Sequence, residues 1–166
     1  MSGLLNHTPA MIIRKLLRNL GYGTEPESNL AWPIYYSFLP DQPDNAIAIF
    51  DTQGRLEGRN HVDGETTIHH GIQVLVRSVG TDTDGRRKAE AIRHAFDTQV
   101  AHTNVSLTDE EHTSTYGVSA VNITSDVIPL PRESPTSQRR LYTLNAVVSL
   151  AMLTADYSGT GSGTSP

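Results

Sequence analysis

The sequence contains no cysteine among its 166 residues. This absence excludes disulfide bridges, thiolate metal sites and cysteine nucleophiles. The chain also lacks an apolar stretch of the ~20 residues that a membrane-spanning helix needs. The longest candidate, residues 146–153, is short and is interrupted by Ser149. At the amino terminus, no basic stretch precedes an apolar stretch and a small-residue cleavage site, so a secretory signal is not expected.

Positive charge is also scarce. The 13 lysine and arginine residues are outnumbered by 18 acidic residues, which gives a net charge of -5. Tight binding of DNA without sequence preference depends on many cationic contacts with phosphates, so the composition argues against a protein that grips DNA. The length fits one globular domain. We expect that domain over residues 1–157 and a flexible Gly/Ser/Thr-rich tail over residues 158–166.

Two segments have the spacing of amphipathic helices. In the first, Thr8 is a candidate N-cap, Pro9 suits the first helical turn, and an apolar stripe runs to Leu20. In the second, apolar residues recur every three to four positions from Gly85 to His102. The sequence predicts helices over residues 9–20 and 85–102. The predicted core residues on these helices and on one strand are Leu16, Leu17, Leu20, Ile92, Phe96, Ile72, Val74 and Val76.

Six further segments are rich in β-branched or aromatic residues or alternate between apolar and polar side chains, which is typical of strands. They are residues 32–38, 46–51, 71–79, 104–107, 115–124 and 139–152. The resulting order, α-β-β-β-α-β-β-β, predicts a single-domain α+β fold. We expect a mostly antiparallel sheet with the two amphipathic helices on one face.

A long polar segment, residues 53–70, separates two of these strands and shows no clear periodicity. We expect it to be a loop that becomes ordered on assembly and serves as the principal working surface. Its three sizeable apolar residues can contact a partner, and two arginines can supply directed hydrogen bonds. The predicted interface residues are Arg55, Leu56, Arg59, Val62 and Ile68.

Catalytic motifs are not recognisable in the sequence. It has no Gly-x-Ser-x-Gly elbow and no glycine-rich phosphate loop between a strand and a helix. We therefore expect no catalytic residues, no metal and no cofactor, and a protein that is not an enzyme. One alternative is a small metal-dependent hydrolase, although the spacing of its candidate ligands matches no known metal motif. Those ligands are His61, Asp63, His69 and His70.

A basic stretch at the start of the second helix is the basis of another alternative. Arg86, Arg87, Lys88 and Arg93 would form the contact surface of a nucleic-acid-binding module. Arg86, Arg87 and Lys88 lie near the helix start, where the helix dipole disfavours cations, so they are a weak indication of nucleic-acid binding. The acidic run at residues 109–111 is typical of a solvated turn.

Several segments together resemble the tail terminator, or minor capsid, proteins of long-tailed bacteriophages. They are the strand-and-turn segment 43–52 with Gly54, the strand 71–77, the helix from Gly85 and a closing strand. The closing strand contains Arg140, Tyr142 and Asn145 and follows a proline-rich approach. The segments occur in family order and at family spacing over residues 8–152. The Gly-Asp type turn that the family places before its last strand is replaced here by residues 133–137.

The resemblance implies a structural protein of the virion tail or neck that is made in the host cytoplasm. Such a protein forms a ring, commonly sixfold, that caps the finished tail tube and ends its polymerisation. The ring then joins the tube to the head connector or stopper protein. DNA would pass through the lumen without specific binding, and no membrane is involved. Another neck protein, for head completion or stopping, is the alternative within the same class.

Overall fold

The computed structural model describes residues 5–28, 30–59, 66–110, 112–132 and 136–157. Two α-helices, α1 (Pro9–Asn19) and α2 (Asp82–Ala95), are combined with seven strands in this part of the chain. The strands are β1 (Ile34–Tyr36), β2 (Ala46–Arg59), β3 (Thr66–Val79), β4 (Thr103–Thr108), β5 (His112–Ile123), β6 (Ile128–Pro129) and β7 (Arg139–Tyr157). The predicted tail, residues 158–166, lies outside the described residues, and the division into domain and tail stays a prediction.

The described strands form one sheet in the order β1-β2-β3-β7-β5-β4, and β6 pairs with β7 beside this path. All the pairings are antiparallel except that of β1 with β2, which is parallel. The α+β prediction with a mostly antiparallel sheet is therefore confirmed. The predicted element order missed β6, whose two residues are too few for any periodic pattern. No helix in the described part of the chain is long and apolar enough to span a membrane.

Helix α1 forms where the sequence predicts it. The backbone N–H of Met11 donates to Thr8 Oγ1 at 3.3 Å, which caps the first turn. After the helix, Gly21 adopts φ 81° and donates its N–H to the carbonyl of Arg18, a termination that favours glycine. Leu16 and Leu17 are buried as predicted, whereas Leu20 is only partly buried because it is the C-cap residue at the rim of the core.

Helix α2 begins three residues earlier than predicted, with Thr81 as its N-cap. Gly85 lies inside the helix because the sheet approaches closely there. A Cβ at that position would lie 2.2 Å from Ser78 Oγ and 2.8 Å from a ring carbon of Tyr142. Residues Phe96–Val100 continue α2 as a π-helical turn, which the sequence pattern did not indicate. The helix and this turn together account for the predicted segment up to residue 100.

One hydrophobic cluster contains residues of both helices and of the sheet. Alternate residues of the central strands, Ile72, Val74 and Val76 on β3 and Leu144 on β7, are buried in it. Ile92 and Phe96 belong to the same cluster, so every predicted core residue except Leu20 is confirmed as buried. The finer arrangement of both helices on one face stays a prediction.

The predicted loop over residues 53–70 is wrong. Residues 53–59 belong to β2 and residues 66–70 belong to β3, and the two strands pair with each other. Residues 60–65 lie outside the described residues. The pairing register shifts between Thr52 and Arg55 and again between Leu56 and Arg59. Each β-bulge inserts a residue and reverses the alternation of side chains, which explains why no period of two was visible.

Two arginines fix the segment that leads into β2. Arg77 is buried and donates to the carbonyl oxygens of Asp41 and Pro43 at 3.1 and 2.6 Å. Arg139 donates to the carboxylates of Asp41 and Asp44, at 3.0 Å for Asp44. The hydrogen bond and the charge of Arg139 lower the pKa of Asp41. The start of β2 is therefore held to β3 and β7 by side chains as well as by the sheet.

Truncation of Phe96 tests the packing of the π-helical turn. Phe96 is 1% exposed, so Phe96→Ala should lower the free energy of unfolding by about 3–5 kcal/mol through lost burial and a residual cavity. Urea denaturation monitored by circular dichroism measures the change. Phe38→Ala is the matched control because Phe38 is 57% exposed, and its effect should stay within about 0.5 kcal/mol. Equal effects of the two substitutions would contradict the packing described here.

Candidate functional site

The distal ends of β2 and β3 form an extension of the sheet, here called the hairpin arm, which comprises residues 53–59 and 66–70. In the described residues, β1 pairs with β2 only as far as Ile49, and β7 pairs with β3 only from His69 onward. The arm beyond Arg55 and His69 is consequently a two-stranded ribbon without a third strand on either side. Such a ribbon gains little stability on its own, so the body of the sheet must hold its base.

Two glycines allow the arm to leave the sheet. A Cβ on Gly54 would lie 2.1 Å from the carbonyl oxygen of His69, and one on Gly71 would lie 2.4 Å from the carbonyl oxygen of Gln53. Side chains cannot occupy such distances without moving the backbone. Gly71 pairs with Thr52, and Gly54 lies within the first register shift, between Thr52 and Arg55. The bulge at the base of the arm therefore depends on glycine in both strands.

An apolar pair is exposed on the arm. Leu56 and Ile68 are Cα partners across the ribbon, and they are 75% and 39% exposed. Together with Thr8 and Pro9 at the start of α1, they line an open recess of about 340 Å³. A partner that covered both side chains would remove them from water, which favours association.

Polar groups at the base of this recess are already engaged within the chain. The N–H of Ala10, in the first turn of α1, donates to Asp51 Oδ1 at 2.9 Å. His70 also lines the recess. Burial lowers the pKa of His70, and the carboxylate of Asp51 partly opposes that shift. The recess therefore presents an apolar rim above a polar floor.

The opposite face of the arm carries Arg55 and His69, which are Cα partners across the ribbon. His69 Nδ1 lies 2.5 Å from Ser149 Oγ on β7. A second, smaller recess of about 200 Å³ lies beside these residues and is also lined by Asn122 and Thr124. Arg55 is exposed there, and its guanidinium can donate to carboxylates or carbonyl oxygens of a partner.

Four of the five predicted interface residues belong to the strands of this arm. Arg55, Leu56 and Ile68 are exposed on it. Arg59 belongs to β2, and Val62 lies outside the described residues. The structure therefore brings three of the five together on one projecting ribbon. Their role in contacting a partner stays a prediction.

The two candidate metal ligands that the structure describes, His69 and His70, do not face each other. His69 and His70 are neighbours in β3, so their side chains project from opposite faces. The Nδ1 atom of His69 contacts Ser149 Oγ, and both histidines border the recess that Asp51 also lines. His61 and Asp63 lie outside the described residues. Among the residues that the structure does describe, no group of three or more histidine, aspartate or glutamate side chains is placed to hold a metal ion.

The basic residues of α2 are partly engaged with other side chains. Arg86 and Arg93 lie 3.9 and 4.0 Å from the carboxylate of Glu90, and Arg93 is also 3.7 Å from Asp126. Lys88 lies 5.5 Å from the ring centroid of Trp32. Burial lowers the pKa of Lys88. These contacts reduce the positive field that a nucleic-acid surface requires.

Sequence reasoning missed an anchor at the start of the chain. His7 is buried, and its N–H and Nδ1 lie 3.2 and 2.7 Å from the hydroxyl of Tyr116 on β5. Its Nε2 lies 3.5 Å from the carboxylate of Asp109. A histidine before the N-cap residue Thr8 gives no pattern that would indicate this contact, because its partners lie more than 100 positions away in the sequence.

Comparison with known families gives one result. The model of a family described as "Bacteriophage tail terminator protein" matches residues 16–125, more than half of the 166-residue chain. The matched region begins within α1 and ends after β5, so it contains the whole hairpin arm. A search of curated proteins found no match.

Alanine at Gly54 tests the bulge at the base of the arm. Gly54→Ala should lower the free energy of unfolding by about 1–3 kcal/mol, because the new methyl group forces the backbone of β3 to shift. Gly117→Ala is the matched control, since the nearest atoms to its Cβ lie at 3.3 Å in the side chains of Asn104 and Leu153. Chemical denaturation of both variants measures the difference. A Gly54→Ala protein as stable as the control would refute the close approach.

The environment of His70 predicts a dependence of stability on pH. Because burial lowers its pKa in the folded state, the unfolded chain binds this proton more tightly. The folded state is therefore most stable above the unfolded pKa of about 6.5, and this stability is lost as the pH falls from that value through the lower pKa of the folded state. Thermal denaturation from neutral to mildly acidic pH should show a steeper loss in wild type than in His70→Gln. Identical pH profiles would contradict the burial of this imidazole.

Proposed function

The chain belongs to the bacteriophage tail terminator family, and from that premise we propose that it assembles into a ring that caps the phage tail tube. Membership in this family supports a structural role in the virion tail. The ring would end polymerisation of the tube protein and present its other side to the head connector or stopper protein. On this proposal the protein performs no catalysis.

Ring formation follows from a simple requirement of symmetry. A contact between two different surfaces of one protein, repeated around a closed rotation, produces a ring. We expect six copies, the number that the resemblance implies, because a cap covers a tube end best when the two share a rotation axis. Synthesis in the host cytoplasm belongs to the same proposal.

The hairpin arm is the surface that we assign to assembly. The observation that carries this assignment is the exposed apolar pair of Leu56 and Ile68 on a ribbon that projects beyond the sheet. Most of the energy of an interface comes from a few apolar or arginine side chains that become fully desolvated. Arg55 on the opposite face of the ribbon adds a directional donor, and Arg59 and Val62 belong to the proposed surface by sequence position.

The charge of the chain fits a passage for DNA. A net charge of -5 repels phosphates weakly at long range. DNA can then move through the lumen of a ring without being held. This property distinguishes a conduit from a DNA-binding protein, whose affinity would rise as counterions are released.

Electron microscopy of the purified protein, alone and with isolated tail tubes, tests the proposal. Rings that sit on one end of each tube, and tubes that stop elongating when the protein is added, are the expected results. A protein that remains monomeric and never decorates tube ends would sink the proposal.

Removal of the exposed apolar pair tests the role of the arm. The double variant Leu56→Ser/Ile68→Ser should remain folded, because neither side chain belongs to the hydrophobic core cluster and Leu56 is 75% exposed. Its assembly should be weaker by about 2 kcal/mol or more, the scale of interface hot spots. Sedimentation velocity and tube capping measure the loss.

The control for this variant is Leu153→Ser, since Leu153 is 52% exposed but lies on β7. It should assemble as the wild type does. If the double variant also forms rings and caps tubes at wild-type concentrations, the arm is not the assembly surface.

A further inference from the structure

We propose that neighbouring copies of this chain join edge to edge, with strand β4 of one copy adding to the open edge of β2 in the next copy. The inference rests on the proposed ring and names the backbone contact that would close it. It assigns a use to two sheet edges that the hairpin-arm proposal leaves unexplained.

The sheet has two open edges in the described part of the chain. Strand β4 is the last strand in the sheet order, so no described strand covers its outer side. At the other end, β1 covers β2 only at residues 47–49. The remainder of β2, residues 50–59, presents its outer side uncovered by any described strand. Open edges carry unpaired N–H and C=O groups that can pair with another strand.

The hydrogen-bond pattern shows which groups of β4 face outward. The N–H of Asp109 donates to the carbonyl of His112 at 3.0 Å, so this pair is a hydrogen-bonded pair of the β4–β5 ladder. In an antiparallel ladder such pairs alternate with pairs whose backbone groups point away. In the pairs Ser106–Thr115 and Thr108–Thr113, the backbone N–H and C=O groups therefore point away from the partner strand. The two hydroxyl oxygens lie 2.8 Å apart in the first pair and 3.0 Å apart in the second. The outward N–H groups of β4 belong to Asn104, Ser106 and Thr108.

Strand β4 also lacks the features that usually protect an edge. Its sequence, Thr-Asn-Val-Ser-Leu-Thr, contains no proline, no lysine and no other charged residue. Proteins that must remain apart normally place such residues on an edge strand or interrupt it with a bulge. The register of β4 with β5 is unbroken over its six residues. The absence of protection favours an edge that is covered by a partner.

Strand direction selects a second copy as that partner. Four successive antiparallel pairings connect β2 to β4 through β3, β7 and β5, so β2 and β4 run in the same direction. Rotation about an axis roughly along the strands preserves this direction. A rotated copy therefore brings its β2 alongside β4 as a parallel strand, and the same contact repeats around a ring.

The open parts of β2 and β4 also lie at the same level along the strand direction. The row of Cα partners that contains Arg55 runs through His69 and Ser149 to Ala120. The adjoining row, through Leu150 and Val118, contains Thr103 at the start of β4. The hairpin arm and β4 thus extend from the sheet in the same direction and over the same rows.

Proline at position 106 tests the proposal. Ser106→Pro removes an outward N–H but none of the bonds between β4 and β5, and edge strands tolerate proline in such positions. We expect a folded protein whose association is weakened by about tenfold or more, measured by sedimentation velocity. Ser106→Ala is the matched control, because it removes the hydroxyl and keeps the N–H. Rings of equal stability in both variants would overturn the proposal.

Hydrogen exchange of the wild-type protein gives a second measurement that needs no variant. The amides of Asn104, Ser106 and Thr108 should exchange quickly in the monomer and slowly in the ring, whereas those of Val105 and Leu107 should be slow in both. Unchanged exchange at the three outward amides would overturn the edge contact even if rings form. A wild-type protein that stops at a two-fold dimer through β4 would also overturn it.

The two proposals fail in different ways. If wild-type protein forms rings that cap tubes and Ser106→Pro does so as well, the edge contact is wrong and the proposed function stands. If wild-type protein forms no ring and caps no tube, the proposed function fails together with the inference that rests on it.

Discussion

A sheet with alternating side chains must cover one of its faces, and in this protein Ile49, Val74 and Leu144 occupy the covered face on three neighbouring strands. Each fully buried aliphatic side chain contributes about 1.5–3 kcal/mol relative to exposure. Both helices supply apolar residues to the same cluster. The positions of the strands, and hence of everything attached to their ends, follow from this burial.

Beyond Arg55 and His69, the hairpin arm departs from that rule because it extends past the residues of β3 that pair with β7. Its residues cannot contribute to the core, and Leu56 and Ile68 remain in contact with water. A ribbon of this kind is held by its base, where Gly54 and Gly71 permit a close backbone approach. The proximal halves of β2 and β3 therefore stabilise the fold, and their distal halves are available for contact.

The sequence predicted those parts of the fold in which one local pattern acts alone. Helix α1 has a cap, a proline and an uninterrupted stripe, and its predicted limits differ from the observed helix by a single residue. The arm was mistaken for a loop because two register shifts interrupt the alternation. Gly85 was mistaken for a helix start, since its role depends on the distant Ser78 and Tyr142. Long-range contacts of this kind leave no local periodicity.

The composition of residues 53–70 was enough to select candidate contact residues, but it did not predict their arrangement in space. Arg55, Leu56 and Ile68 were selected because a polar segment with a few apolar residues is a poor core and a suitable contact surface. Their actual placement across a ribbon required knowledge of the pairing between β2 and β3. The open edge of β4 was not anticipated, because a strand's position in the sheet order is a property of topology and cannot be read from six neutral residues.

The position of β7 in the sheet has a consequence for the order of events during synthesis. It lies between β3 and β5, and it follows both of them in the chain. The two halves of the sheet therefore cannot join until this strand has left the ribosome, and contacts such as Gly71 with Val147 must close long stretches of chain. Before that moment both halves expose apolar strands. Competence to assemble thus arises only in chains that have been translated through β7, so a nascent or truncated chain has no completed sheet to offer to a neighbour.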